Sequence, residues 1–123
     1  MFSTTVKELR IAKRLTLRQF CQELGLDPSN WSKVERGVNP PPGDVHALEK
    51  LAQFFGLTAD RKQVFFDDAA VSRNELPKDL ADDVLFKQAL PAFFRACRDH
   101  KLTEDQLLNL AEDIRKLHKP DTL

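Results

Sequence analysis

Residues 16–37 read TLRQFCQELGLDPSNWSKVERG, and this stretch decides the fold. Four apolar residues in its first half follow the i, i+3, i+4, i+7 spacing of one helical face: Leu17, Phe20, Cys21 and Leu24. Gly25 follows directly, and glycine commonly ends a helix in the left-handed backbone conformation. The stretch therefore predicts a short helix that stops at Gly25.

The starts of two helices are also marked. Thr16 can cap the first helix, and Gln19 three residues later completes a capping box. Asp27 can cap a second helix whose first residue is Pro28, a position where the missing N–H costs nothing. Because Gly37 ends that second helix, we expect two short helices joined by only three residues.

A three-residue turn that contains glycine is typical of the helix-turn-helix motif. Such a turn makes the two helices cross steeply and leaves one face of the second helix exposed. That face can enter the major groove of DNA, while the N-terminus of the first helix meets the DNA backbone. The motif thus predicts binding to double-stranded DNA.

Helical spacing, rather than the alternation of a strand, recurs along the chain. Three further stripes surround the motif: Phe2, Val6 and Leu9; Leu48, Leu51, Ala52 and Phe55; and Val64, Phe65 and Ala69. The last stripe lies in a helix expected from about residue 59 to residue 71. Residues 39–43, Asn-Pro-Pro-Pro-Gly, must form an extended loop, after which Asp44 can cap the fourth helix. We therefore expect an all-α fold in which residues 1–71 form a five-helix domain.

Residues 72–123 predict a smaller helical region, which begins after the polar stretch Ser72-Arg73-Asn74-Glu75. Thr103 and Gln106 can form a second capping box. Two apolar stripes follow helical spacing: Leu90, Phe93, Phe94 and Cys97; and Leu107, Leu110, Ala111 and Ile114. Because about 50 residues make a thin core by themselves, we expect this region to pack on residues 1–71, to dimerise or to bind a partner protein.

Composition excludes several classes of protein. Of the 123 residues 41% are hydrophobic, which argues against disorder, and no run approaches the ~18 apolar residues of a membrane helix. The N-terminus has no basic region followed by an apolar run, so we expect no signal peptide. Cys21 and Cys97 are far apart and lie on apolar stripes, so we expect two buried thiols in a reducing cytoplasm.

The net charge is 0, from 19 Lys+Arg and 19 Asp+Glu, which is unusual for a DNA-binding protein. Residues 1–56 nevertheless carry 8 basic and 6 acidic side chains, so the N-terminal half has a small net positive charge. His46, His100 and His118 share no metal-ligand spacing with each other or with a cysteine, and no Gly-rich phosphate loop is present. We expect no catalytic residues, no metal and no cofactor.

The order of these signals resembles one known family. Residues 16–25 and 31–37, followed by Asn39-Pro40, are similar to the Cro/C1-type (Xre) helix-turn-helix regulators of lambdoid phages. The resemblance covers about residues 2–70. It implies a lambda-repressor-like domain of five helices, in which the third is the recognition helix that reads DNA.

The resemblance also implies roles for single residues. It places base contacts at Pro28, Ser29 and Lys33, with Asn30 adjacent to them as a further candidate, and Ser29 and Asn30 can reach a base edge or a phosphate. The expected phosphate contacts are Thr16, Arg18, Ser32, Arg36 and Asn39. Lys33 suits the O6 and N7 atoms of guanine. Leu17 departs from the Gln that the family often has after the cap, and Arg18 could supply that phosphate contact instead. For Arg18, Ser29 and Asn30, the alternative is a side chain that is only solvated.

Arg10 has a different expected role. It lies one turn beyond Val6 and faces inward, and a buried Arg needs a carboxylate partner. The family pairs such an Arg with the Glu that ends the recognition helix, here Glu35, which implies an ion pair whose first role is structural and whose second is phosphate binding. Trp31 lies where the family has Ile or Leu, so packing in the core is favoured over stacking on DNA.

These features favour a cytoplasmic, homodimeric transcriptional repressor that reads a palindromic operator and controls its own operon. A dimer would hold two recognition helices about 34–36 Å apart, one turn of DNA. The alternative is an antitoxin-like interaction module, with secondary DNA binding, whose residues 72–123 bind a toxin or a protease. The near-zero charge and Leu17 favour this alternative.

A second resemblance concerns that alternative. Residues 76–80, LPKDL, and residues 90–95, LPAFFR, are similar to the C-terminal extensions of some Xre regulators in stress-response and defence loci. In some regulators with related architecture, a partner metalloprotease of the ImmA/IrrE type cleaves the regulator. This resemblance implies a regulatory protease as a partner.

Overall fold

The computed structural model describes residues 1–117, and all regular secondary structure in that range is helical. Its eight helices are α1 (Phe2–Ala12), α2 (Leu17–Leu24), α3 (Pro28–Glu35), α4 (Val45–Phe55), α5 (Ala59–Ser72), α6 (Lys78–Ala81), α7 (Val84–His100) and α8 (Glu104–Arg115). The prediction of an all-α fold is confirmed. The chain divides into two compact units, of which the first comprises Met1–Ala81 and the second begins at Asp82.

The ends of α2 and the start of α3 follow the capping signals. Gln19 N donates to Thr16 Oγ1 at 3.1 Å and Thr16 N donates to Gln19 Oε1 at 2.9 Å, which completes the capping box. Gly25 ends α2 with φ +67° and ψ +36°, a conformation that costs glycine little. Asp27 accepts a hydrogen bond from Asn30 N at 2.8 Å and caps α3. These predictions are confirmed.

The core of the first unit is built from the predicted helical stripes. Its buried apolar residues are Phe2, Val6, Phe20, Cys21, Leu24, Trp31, Val34, Leu48, Leu51, Ala52, Phe65 and Ala69. Phe20 packs against several aromatic rings, with ring centroids 5.4 Å from Trp31 and 5.5 Å from Phe55. The prediction that Val64 belongs to the core is wrong, since its side chain is 59% exposed. Helix α5 turns Phe65 and Ala69 inward, and a residue one position before Phe65 points about 100° away from it.

The first unit extends beyond the boundary expected after residue 71. Arg73 Nη1 donates to the carbonyl oxygen of Pro41 at 2.9 Å, and Arg73 Nε donates to Glu75 Oε1 at 3.2 Å. The guanidinium of Arg73 lies against Gly43, where an added Cβ would come within 2.7 Å of Arg73 Cζ. These contacts attach the segment after α5 to the Pro-rich loop, so the chain leaves the first unit only after α6.

In the second unit, none of residues 82–117 is buried. The second capping box forms as predicted, with Gln106 N donating to Thr103 Oγ1 at 3.2 Å. Phe93 and Phe94 on α7 are 44% and 46% exposed. Cys97 is only partly buried because the apolar face of α7 remains largely uncovered, so the prediction of two buried thiols is wrong for this residue.

Candidate DNA-binding surface

Helix α3 has two distinct faces. Its inward residues, Trp31, Val34 and Glu35, are buried. Its outward side chains are all exposed: Pro28, Ser29, Asn30, Lys33 and, at its end, Arg36. Ser32 lies between the two faces and is half-buried. The four residues expected to contact bases are therefore all exposed to solvent.

The turn between α2 and α3 fixes the angle at which α3 leaves the core. Leu26 N donates to the carbonyl oxygen of Cys21 at 2.8 Å, which closes the end of α2. The Leu26 side chain is partly buried against the core. The turn is thus held by a backbone hydrogen bond on one side and by apolar packing on the other, and the start of α3 has a defined position.

A bidentate ion pair attaches α1 to the end of α3. Arg10 Nε donates to Glu35 Oε2 at 2.8 Å, and Arg10 Nη2 donates to Glu35 Oε1 at 2.9 Å. The two side chains are only 12% and 5% exposed. The hydrogen bond to Glu35 raises the pKa of the Arg10 guanidinium, against the opposing effect of burial. Arg10 Nη1 also donates to the carbonyl oxygen of Leu15 at 2.8 Å, so the same side chain holds the loop before α2.

Trp31 adds a third donor to this network, which the sequence reasoning missed. Its indole Nε1–H donates to Glu35 Oε2 at 2.9 Å. The signal that could have found it is the four-residue spacing, which puts Trp31 and Glu35 on the same face of α3. Burial, together with the negative charge of Glu35, raises the pKa of the Cys21 thiol.

A hydrogen bond between two candidate contact residues was also missed. Asn39 Nδ2 donates to Asn30 Oδ1 at 2.8 Å, across nine positions of sequence. The loop after α3 makes this possible because the backbone N–H groups of Val38 and Asn39 both donate to the carbonyl oxygen of Lys33, at 2.8 and 3.1 Å. No local spacing rule predicts such a contact, since it depends on how the loop folds back.

The N-terminus of α2 lies at the solvent surface. Thr16 and Arg18 are exposed, whereas Leu17 is partly buried and packs against the core. The resemblance implies a Gln at the position of Leu17. Because Leu17 packs against the core, it contributes to the stability of the domain and cannot hydrogen-bond to a phosphate. Arg18 is the cationic side chain of this first turn of α2.

A helix-turn-helix domain family matches residues 2–64. The chain belongs to this family. The matched segment begins with α1 and ends within α5, so it contains both helices of the motif and the turn between them. The helix-turn-helix domain agrees with the Cro/C1-type resemblance and indicates a DNA-binding regulator. No curated protein and no solved structure matches the chain, and the resemblance to regulators cleaved by ImmA/IrrE-type proteases is unsupported.

The helix-turn-helix domain presents three exposed cations on α2 and at α3: Arg18, Lys33 and Arg36. Among the ion pairs within residues 1–117, none involves these three side chains. They are available to phosphate or base acceptors, which offsets the near-zero net charge of the whole chain.

The residues of the range 1–117 were also compared with the requirements of a metal site and of a membrane-spanning helix. No three side chains among the His, Cys, Asp and Glu residues of this range come together in a way that could hold a metal ion. His46 is exposed on α4, and His118 lies outside the described residues. No helix of this range combines the length and the apolarity needed to cross a membrane.

Proposed function

We propose that the protein is a homodimeric transcriptional repressor that binds a palindromic double-stranded DNA site and controls its own operon. The observation that carries the proposal is the contrast between the two faces of α3. Its inner face is fixed by Arg10, Trp31 and Glu35, while its outer face offers polar side chains to solvent. A rigid helix with an exposed polar face is what reading a major groove requires.

The exposed residues divide into two groups by their chemistry. Lys33 reads guanine through O6 and N7, Ser29 and Asn30 reach base edges near the start of α3, and Pro28 contacts a thymine methyl group. Phosphate contacts come from the residues around this face: Thr16, Arg18, Ser32, Arg36 and Asn39. The free N–H groups at the start of α2 add a further site for a phosphate.

The second unit supports the dimeric part of the proposal. Its helices carry large apolar side chains, yet none of residues 82–117 is buried. The charges of the two helices are also complementary on balance: α7 carries Lys87, Arg95 and Arg98 with one acidic residue, Asp99, whereas α8 carries Glu104, Asp105, Glu112 and Asp113 with one basic residue, Arg115. A second copy would cover these apolar faces and pair α7 with α8 of the other protomer.

The test of DNA reading uses the full-length protein and a selection of bound fragments from random duplex DNA. We expect a palindromic site whose affinity falls steeply with salt. Lys33→Ala should weaken binding by roughly 1–3 kcal/mol at one base pair and relax the preference there. Lys7→Ala, which alters an exposed lysine of α1, serves as the matched control and should leave the preference unchanged.

Three outcomes would contradict parts of this proposal. An equal loss on all sequences after Lys33→Ala would make Lys33 a phosphate contact rather than a base reader. No sequence-specific binding at low salt would reject the repressor. Binding to unrelated sites, but not to the promoter of the protein's own gene, would reject autoregulation.

A second candidate function is an antitoxin-like module in which residues 72–123 bind a toxin or a regulatory protease. The exposed apolar stripes of α7 and α8 favour it, because a partner protein could cover them as well as a second copy. A monomer in solution that forms a stable complex with the product of an adjacent gene would support this candidate.

A further inference from the structure

We propose that Asn39 is a positioning residue that fixes the side-chain amide of Asn30, so that Asn30 presents hydrogen-bond donors to an acceptor on the DNA. This inference rests on the proposed function and changes one assignment in it: Asn39 positions Asn30 and makes no direct phosphate contact. The acceptor is an oxygen or nitrogen of a base edge or a phosphate oxygen. The experiment below separates the two sources.

The position of Asn39 is fixed from both sides. On the N-terminal side, Gly37 adopts φ +76° and the next two N–H groups donate to the carbonyl oxygen of Lys33. On the C-terminal side, the chain continues into Pro40 and Pro41, and the carbonyl of Pro41 accepts from Arg73 at 2.9 Å. Proline restricts the backbone on this side. Asn39 is therefore held beside α3 rather than swinging freely with the loop.

The geometry determines which atom of Asn30 faces outward. A primary amide has one acceptor oxygen and two N–H donors. Asn30 Oδ1 already accepts from Asn39 Nδ2 at 2.8 Å, and within residues 1–117 Asn30 Nδ2 donates to no protein atom. The exposed side of the Asn30 amide is therefore a donor.

A fixed donor restricts the partners on DNA. In the major groove it matches O6 and N7 of guanine, O4 of thymine or N7 of adenine, whereas cytosine offers only the N4 donor. A freely rotating asparagine can instead pair with adenine through both its oxygen and its nitrogen. Fixing the amide thus restricts the base atoms that Asn30 can pair with before DNA binds. The Asn30 side chain also loses less conformational entropy on binding.

The first part of the test is a double-mutant cycle with the full-length protein and the duplex obtained by selection. Asn30→Ala should weaken binding about three- to tenfold, as expected for one hydrogen bond. Asn39→Ala should weaken it less, and in the Asn30→Ala background it should have no further effect. Gln53→Ala, an exposed amide on α4, is the matched control and should leave affinity unchanged. Additive losses would make Asn39 an independent contact and would overturn the inference.

The second part of the test replaces the hydrogen-bond donor at position 39 by an acceptor. In Asn39→Asp the new carboxylate only accepts, so Asn30 must turn its N–H groups toward it and its oxygen toward the DNA. If Asn30 reads a base, the preference at one position should move toward the donor edges of adenine or cytosine. If Asn30 contacts a phosphate, affinity should fall equally on all sites. The same substitution in the Asn30→Ala background measures the effect of the added charge alone.

The results distinguish failure of this inference from failure of the proposed function. Absence of any selected site for the unaltered protein would overturn both proposals. A selected site together with an Asn39→Asp effect that is the same with and without Asn30 would overturn only the positioning role. Thermal unfolding of each variant, expected to match that of the unaltered protein, excludes a general loss of structure.

Discussion

At the scale of single residues, one carboxylate organises the helix-turn-helix domain. Glu35 accepts two hydrogen bonds from Arg10 and one from Trp31, and Arg10 in turn holds the carbonyl of Leu15. Three separate segments, α1, the loop before α2 and α3, are thus tied together in a nearly dry environment. Such a network is strong only when it is complete, because a buried charge without its partner is costly.

Glu35→Gln should therefore destabilise the fold well beyond the loss of one contact. The substitution keeps the size of the side chain but leaves the Arg10 charge mostly buried without a counter-ion. We expect the free energy of unfolding to fall by about 3 kcal/mol, measured by urea denaturation followed by circular dichroism. Glu23→Gln, at an exposed position of α2, is the matched control and should change it by less than about 0.5 kcal/mol. Similar values for the two variants would show that the ion pair has no net structural role.

The sequence anticipated part of this network and not the rest. Arg10 and Glu35 could be paired in advance because helical spacing turned Arg10 inward and the family resemblance named its partner. The bond from Trp31 to Glu35 was not predicted, because Trp31 was interpreted by its ring alone, as core packing or as stacking on DNA, and not by its indole N–H. The hydrogen bond from Asn39 to Asn30 could not be predicted, since its formation depends on how the loop after α3 folds back.

At the scale of helices, the reliable predictions are the local ones. A capping box or a left-handed glycine involves neighbouring residues only, so the sequence contains nearly all of its determinants. Val64 is the instructive failure, because Val64 and Phe65 are neighbours on α5, point about 100° apart, and do not both face the core. Which of them faces inward is decided by packing against other helices, and the aromatic contact between Phe2 and Phe65, with ring centroids 4.9 Å apart, belongs to that packing.

The two capping boxes allow the effect of a cap on helix stability to be separated from its effect on DNA binding. Thr16 and Thr103 make the same pair of hydrogen bonds with Gln19 and Gln106, but only Thr16 lies on the proposed DNA-binding surface. Each substitution to alanine should lower stability by about 1 kcal/mol or less, measured by thermal unfolding. Only Thr16→Ala should also weaken binding to the selected duplex, measured by fluorescence anisotropy. Equal losses of affinity would mean that capping acts on binding only through general stability.

At the scale of the whole molecule, the two units bury their apolar residues to very different extents. The first unit has a dozen buried apolar side chains, whereas the second leaves Phe93, Phe94, Leu107 and Leu108 at least 43% exposed. Helices of this length gain most of their stability from packing. The sequence indicated this imbalance, because two strong stripes lay on few residues, but it contained no information on which surface covers them.

The proposed dimer makes a prediction that separates the second unit from the first as the site of self-association. Phe94→Asp places a charge in the apolar stripe of α7, where burial against a second copy would be strongly unfavourable. Ala92→Asp puts the same residue on the opposite side of the same helix, at an exposed position, and so matches its effect on helix propensity. Sedimentation equilibrium should find a dimer for the unaltered protein and for Ala92→Asp, and a monomer for Phe94→Asp. Affinity for the palindrome should fall by about tenfold or more in Phe94→Asp alone, because two linked recognition helices bind with a high effective concentration. If Phe94→Asp remained dimeric, the interface would have to lie in the first unit, and the exposed stripes of α7 and α8 would be left to a different partner.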